Sequence, residues 1–377
     1  MNLTSKLPHV GTTIFTQMSA LANEVGAINL SQGFPNFPVS EAFKTILKQT
    51  VDENVHQYAP MAGLISLREQ LTRIIGESYQ RTLSVDDILI TAGATQAIFT
   101  VIQALVHEND EVIIIDPAYD CYRPAVDLVK GKAIHIPLTN RLELDVQAIE
   151  DAMCNKTRML ILNNPHNPTG TVFSKQQIDD LVAVLEKFPN CMVLSDEVYE
   201  FINFNQEKVS LNYYPQLFDR LITVSSFGKT LHVTGWKLGY LTACQPLMDE
   251  IKKVHQFLVF SVSHFAQHAV SEYLKSFNVT ELASFYRAKQ QFLANKLVNT
   301  AFKLMPCSGT YFQVIDISQV TDMNDVDYAI WLTKEKGLAT IPLSVFYTDQ
   351  APKNYLRLCF AKDDDTLTKA GEILCTI

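Results

Sequence analysis

The sequence predicts an α/β protein: a large body with a mostly parallel central sheet flanked by helices, and a smaller α+β body. Three observations carry this. Between Asp87 and Val224, short apolar runs alternate with helix-length amphipathic stretches, the pattern of strands and crossover helices. Beyond about residue 245 the pattern changes to long helices with a few short strands. The chain has 377 residues, too many for one small core, and at ~150 residues per domain this suggests two.

The first forty residues, rich in turn formers such as Gly33-Phe34-Pro35-Asn36-Phe37-Pro38, read as an arm that crosses another surface. Asp87–Thr91 reads as a strand, and Ala94, Ile98, Val101, Ile102 and Leu105 then recur at helical spacing. Glu111–Ile115, Ala133–Ile136, Arg158–Leu162, Met192–Leu194 and Leu221–Val224 read as further buried strands, with a helix over Lys175–Lys187. Helices are expected at Leu247–Phe257, His264–Ser276 and Glu281–Val298, strands at Tyr311–Ile315 and Tyr355–Cys359, and a last helix at Asp365–Leu374. The expected division is an arm with part of the small domain (1–40), a large domain (41–275) and a small C-terminal domain (276–377).

Composition narrows the function classes. Hydrophobic residues make up 47% and charged residues 19%, ordinary for a globular protein. A formal charge of −9 with no basic stripe argues against nucleic acid as a partner. Seven scattered cysteines without a C-x-x-C pair argue against a disulfide framework or a metal site, and for a reducing compartment. The N-terminus lacks the apolar run of a signal peptide, and no segment approaches the ~18 apolar residues of a membrane span. The expectation is a cytoplasmic chain with no membrane partner.

In an open α/β sheet, ligands bind at the carboxyl ends of the strands. Thr91-Ala92-Gly93-Ala94-Thr95 joins a strand to a helix, where small residues let backbone N–H groups approach a phosphate; such turns also open many ordinary helices. Tyr119 follows the next strand and could stack on a flat ligand or simply pack. Asn164-Pro165-His166-Asn167-Pro168-Thr169-Gly170 presents amides on a stiff turn, with His166 a spacer rather than a base. Asp196 emerges from the sheet interior and needs a cation, either a protonated ring nitrogen or a structural arginine. Arg357 lies within an apolar strand, and its planar fork suits a carboxylate of protein or substrate. Lys229 sits in Ser225-Ser226-Phe227-Gly228-Lys229-Thr230 after a strand, with Lys237 in the following turn. These are two solvated loop lysines, or an amine whose proton is loosened by burial and a like charge so that it can form a Schiff base.

The order of these segments is more specific than any one of them. Asn-Pro-His-Asn-Pro-Thr-Gly (164–170), Ser-Asp-Glu-Val-Tyr (195–199), Ser-Ser-Phe-Gly-Lys-Thr (225–230), Thr-Gly-Trp-Lys-Leu-Gly (234–239) and Arg-Leu-Cys-Phe (357–360) resemble the class I, fold type I aminotransferases that use pyridoxal 5′-phosphate. The resemblance spans nearly the whole chain. Leu30–Pro35, Gln57–Pro60 and Val254–Gln256 add to it. The resemblance is closest to the branch that holds bacterial methionine aminotransferases and the kynurenine/glutamine aminotransferases, and Gly11–Ser19 and Ile341–Phe346 look especially like the methionine enzymes.

The resemblance implies roles. Lys229 would be the Schiff-base lysine and proton carrier, Asp196 the partner of the ring nitrogen, Asn167 and Tyr199 donors to the ring hydroxyl oxygen, and Tyr119 the stacking ring. Gly93, Ala94, Thr95, Ser226 and Lys237 would hold the phosphate. Lysine at 237, where many aspartate-type enzymes have arginine, fits the kynurenine-type branch. Arg357 would clamp the substrate carboxylate beside Gly33 and Asn167. Tyr58 would reach the phosphate of a neighbouring subunit, which implies a homodimer. The side-chain pocket would include Phe15, from the arm, and Phe260 from the partner; plain core is the competing reading for both.

The implied reaction is a two-stage, ping-pong transfer of an amino group to a 2-oxo acid. An apolar, sulfur-tolerant pocket favours methionine, then aromatic amino acids or glutamine. The alternative is a carbon–sulfur β-lyase acting on cystathionine or cysteine conjugates. A cofactor-sensing regulator would need a DNA-binding segment, and a nicotinamide dehydrogenase a G-x-G-x-x-G after a strand; neither is present in the sequence.

Overall fold

Seven strands form the central sheet: β1 (Ile88–Thr91), β2 (Glu111–Asp116), β3 (Lys132–Pro137), β4 (Thr157–Asn163), β5 (Met192–Asp196), β6 (Leu221–Ser226) and β7 (Gly239–Thr242). Their spatial order is β1-β7-β6-β5-β4-β2-β3. The computed structural model describes residues 3–205, 207–349 and 351–377. Strand pairs are parallel except at β7, which runs antiparallel to β1 and β6. The expected largely parallel sheet is therefore present, and β7 is an addition to it. Gly239–Thr242 has only four residues and follows a lysine-glycine turn, too short a run for its period to register.

The strands are apolar on both faces because both faces are covered. In β2, Val112 and Ile114 pack into one core with the helices Ala94–Leu105 and Gln245–Leu258, while Ile113 and Ile115 face a second core under Val146–Ala152 and Lys175–Lys187. Ser174 caps the last of these helices in a reciprocal capping box with Gln177, which sets its start at the predicted residue. Two helices absent from the sequence reading, Glu41–Val51 and Ile65–Tyr79, pack with His264–Leu274 around a third core at the β1 edge.

A second, antiparallel sheet follows, of β8 (Lys303–Leu304), β9 (Phe312–Asp316), β10 (Ile341–Pro342) and β11 (Tyr355–Cys359), in the order β10-β11-β9-β8. Its core is shared with the helices Glu281–Leu297, Asp325–Lys336 and Asp364–Cys375. That core also takes in Met18 and Leu30, and Val198, Tyr199 and Ile202 just beyond β5.

The turn-rich reading of the first forty residues needs correction. Ile14–Val25 is a helix capped by the Thr13 hydroxyl at its start and by Gly26 in the left-handed region at its end. Ile28–Asn29 then pairs in parallel with Leu338–Ala339 of the same chain. Thr13 and Gly26 are capping signals, but the glycine and two prolines of residues 33–38 dominate the local pattern.

Gly170 closes the loop after β4 against β9. Its φ is +77°, and a Cβ there would lie 2.2 Å from the Phe312 carbonyl oxygen. Gly170→Ala is expected to destabilise the protein by more than about 2 kcal/mol, since left-handed strain and a backbone clash add. Urea unfolding would read this as a lower midpoint with an unchanged slope.

Candidate active site

The carboxyl ends of β1, β2, β4, β5 and β6 converge on one cavity of about 330 Å³, at the lower end of the range for small-ligand sites. Its lining includes Gly33, Gly93, Ala94, Thr95, Tyr119, Asn167, Asp196, Tyr199, Ser226, Lys229, Lys237, Arg357 and Phe15. Tyr58 and Phe260, expected from a partner, do not line it. They meet edge-to-face with ring centroids 5.4 Å apart, 83% and 47% exposed.

Lys229 is carried by the short helix Phe227–Thr230, directly after β6. Its Nζ donates to the Tyr311 hydroxyl at 2.9 Å and to the Gly33 carbonyl at 3.2 Å. Burial pulls its pKa down to about 8; Arg357 and Lys237 act in the same direction, while Cys359 and Asp196 oppose it. This is the loosened proton that the sequence left open against a solvated lysine.

Asp196 ends β5 and is 3% exposed. Its Oδ2 accepts from the Tyr122 hydroxyl at 2.5 Å and its Oδ1 from the Val198 N–H at 3.3 Å. Burial nevertheless pushes its pKa up to about 6, with those two donors and the Lys229 charge pulling the other way. No arginine or lysine among the described residues forms an ion pair with it. A structural arginine is thus not its partner.

The helix Ala94–Leu105 opens on Gly93, at φ +81°, with no side-chain cap. Lys237, itself left-handed at φ +51°, runs over this turn: a Cβ built on Gly93 would sit 3.7 Å from Lys237 Cε. Gly239 is needed beside them, because a Cβ there would lie 2.7 Å from the Ser225 carbonyl and 3.1 Å from the Ala94 nitrogen. Uncapped amides, a lysine and the Ser226 hydroxyl make an anion cradle at a helix N-terminus.

Arg357, in β11, is 1% exposed. Nη1 donates to Asn167 Oδ1 at 2.8 Å and Nη2 to the Ser31 carbonyl at 3.0 Å. The rings of Phe312, Phe15 and Phe346 surround the guanidinium, with centroids at 4.0, 5.3 and 5.4 Å. Burial lowers its pKa, and no carboxylate among the described residues pairs with it. His166 is buried, with Nδ1 at 2.7 Å from Thr169 Oγ1 and a pKa lowered to about 3 by burial, consistent with a spacer in the turn.

Sequence reasoning missed Tyr122, Tyr311 and Phe312. Tyr122 lies in a helix one turn beyond Tyr119, and the spacing alone does not show which of the two reaches Asp196. Tyr311 and Phe312 open a strand and read as core.

A buried amine, a carboxylate without a cation and an uncapped helix N-terminus line one cavity, the setting of an enzyme site that takes a small anionic ligand. The family model for aminotransferase class I and II matches residues 25–374, and the chain belongs to that family, whose members depend on pyridoxal phosphate. The chain is 45% identical to the methionine aminotransferase of Escherichia coli over 98% of its own length and 97% of that protein. It is 32% identical to a kynurenine–oxoglutarate transaminase of Dictyostelium discoideum, over 97% and 94% respectively. Among solved structures, Escherichia coli YbdL, described as a methionine aminotransferase, superposes with a TM-score of 0.97 at 44% identity, each chain fully covered. The N-succinyldiaminopimelate aminotransferase of Mycobacterium tuberculosis gives 0.95 at 32%, again with both chains fully covered. The expected fold and aminotransferase activity thus stand. No helix among the described residues is long and apolar enough to cross a membrane.

The residues present fit the cofactor. The buried carboxylate without a cation matches a protonated ring nitrogen, the uncapped helix start matches a phosphate, and the Lys229 amine lines the same cavity.

Proposed function

We propose that this aminotransferase takes methionine as its preferred amino donor, with aromatic amino acids or glutamine as secondary donors, and passes the amino group to a 2-oxo acid by a ping-pong mechanism. One observation carries the reading: Arg357 stands caged by Phe15, Phe312 and Phe346 on the same cavity as Lys229 and Asp196. That arrangement offers a carboxylate clamp with an apolar surround, in a chain 45% identical to a methionine aminotransferase.

When bound, pyridoxal phosphate supplies an aldehyde that condenses with amines and a protonated ring that draws electrons from the substrate Cα. Gly93, Ala94, Thr95, Ser226 and Lys237 would hold the phosphate, Tyr119 would cover a ring face, and Asp196 would keep the ring nitrogen charged. Asn167 Oδ1 is committed to Arg357. Its Nδ2 hydrogens would therefore be the ones left to donate to the ring oxygen, together with the Tyr199 hydroxyl. Arg357 has a fork already fixed by two hydrogen bonds, so it binds the α-carboxylate with little ordering cost. Lys229, with a pKa of about 8, holds a usable neutral fraction near neutral pH and takes the Cα proton.

The working form in this reading is a cytoplasmic homodimer in which Tyr58 and Phe260 reach the partner's cavity; their exposed, paired rings support it. Residues 41–275 would carry the cofactor, and 1–40 with 276–377 would carry Arg357 and the arm. The test is a panel of amino acids and 2-oxo acids with purified protein and pyridoxal phosphate. Methionine is expected to give 2-oxo-4-methylthiobutanoate at the highest kcat/KM. Transfer from aspartate or alanine at a higher kcat/KM than from methionine would reject the preference.

A further inference from the structure

The Lys229 amine rests on two oxygens that no part of the scheme above uses. Tyr311 is fully buried at the entry to β9, boxed by the rings of Phe312, Tyr199 and Tyr286 at 4.9, 5.1 and 5.6 Å. Its backbone carbonyl accepts from Phe360 N–H at 2.9 Å, so neither ring nor main chain has room to turn. Its hydroxyl lies 2.6 Å from the Gly33 carbonyl and 2.9 Å from Lys229 Nζ. Gly33 is itself pinned, since a Cβ there would meet Phe312 Cζ at 2.8 Å.

The proton assignment follows from chemistry. A carbonyl oxygen only accepts, so the phenol hydrogen of Tyr311 is donated to Gly33. The phenol oxygen is then an acceptor towards Lys229, and so is the second lone pair of the Gly33 oxygen. A neutral amine has two hydrogens and one lone pair. Both hydrogens are taken by these oxygens, and the lone pair is left on the opposite side. Had the phenol donated to nitrogen instead, that lone pair would be occupied.

We propose that Tyr311 is a positioning residue for the known reaction: with the Gly33 carbonyl it seats the free Lys229 amine by its hydrogens and leaves the lone pair open to receive a proton. The inference rests on reading Lys229 as the reacting amine. Besides Tyr311, the groups facing that amine are Tyr199, Asp196, Lys237, Arg357 and Cys359. Two acceptors also favour the ammonium form, so the seat offsets part of the burial that loosens the proton.

Trace labelling of the full chain freed of pyridoxal phosphate, so that Lys229 is a free amine, with acetic anhydride from about pH 6 to 11 and followed by peptide mapping, reads the proton affinity of each lysine. Wild-type Lys229 is expected to titrate near 8. In Tyr311→Phe, which keeps the ring and loses one acceptor, the midpoint falls, and kcat falls about ten- to a hundredfold with KM little changed. Site-specific 3-fluorotyrosine at 311, a weaker acceptor of the same shape, moves the midpoint the same way by less, and decides the matter if the phenylalanine variant does not fold. A wild-type midpoint near 8 with both variants unmoved overturns the seat alone. A wild-type Lys229 that titrates near ~10.4, like a surface lysine, overturns the reading of Lys229 and the seat with it.

Discussion

Lys229→Ala is expected to lower kcat by at least about 10⁴-fold, the upper range for losing a positioned proton carrier. Losing the covalent attachment as well adds to this. Other lysines are poorly placed to substitute: Lys237, the other lysine lining the cavity, runs over the Gly93 turn. The fold is expected to survive, because the change removes a buried ammonium rather than a core ring, and the thermal midpoint should stay level or rise slightly. Single-turnover measurement of 2-oxo acid formation checks the loss, and added methylamine should restore part of it by entering the space of the missing side chain. A loss of tenfold or less would mean that another group moves the proton.

Asp196→Asn is expected to cost about 10²–10³-fold in kcat, comparable to removing one preorganised electrostatic contact in an active site. The substitution keeps the volume and an acceptor for the Val198 N–H, while the amide NH2 facing Tyr122 reverses that hydrogen bond, so that the phenol oxygen accepts instead of donating. What it removes is negative charge. The carboxylate, with a pKa of about 6 from burial, is mostly ionised at neutral pH, and a cation beside it would extend that ionisation to lower pH. Neutral asparagine cannot hold a ring nitrogen protonated. Cofactor affinity should weaken alongside kcat, measured as the Kd of pyridoxal phosphate across pH. Near-wild-type turnover in this variant would remove Asp196 from the role.

Much of this was legible in the sequence. The parallel strands announced themselves because burial on both faces demands unbroken apolar runs, as in Glu111–Asp116. The residues at their carboxyl ends then had only one place to go. What escaped was of two kinds. Short or mixed elements, Gly239–Thr242 and the helix Ile14–Val25, carry too little periodicity against neighbouring glycines and prolines. Contacts across long separations escaped as well: Tyr122 to Asp196, Tyr311 to Lys229 and Arg357 to Asn167 join segments 74, 82 and 190 residues apart. No local pattern encodes such pairs; the folded topology brings them together.

The stretch Ser31–Gly33 has a consequence for how this protein can change. Its Ser31 carbonyl receives Arg357 and its Gly33 carbonyl receives Lys229, so in the proposed reaction substrate anchoring and proton transfer would lean on the same short piece of main chain. Backbone oxygens are present whatever side chain is attached, and no codon change deletes them. Divergence towards new amino acids is therefore free to rework the rings around Arg357, while a shift of this strip would disturb affinity and turnover together. Selection for one property would drag the other with it.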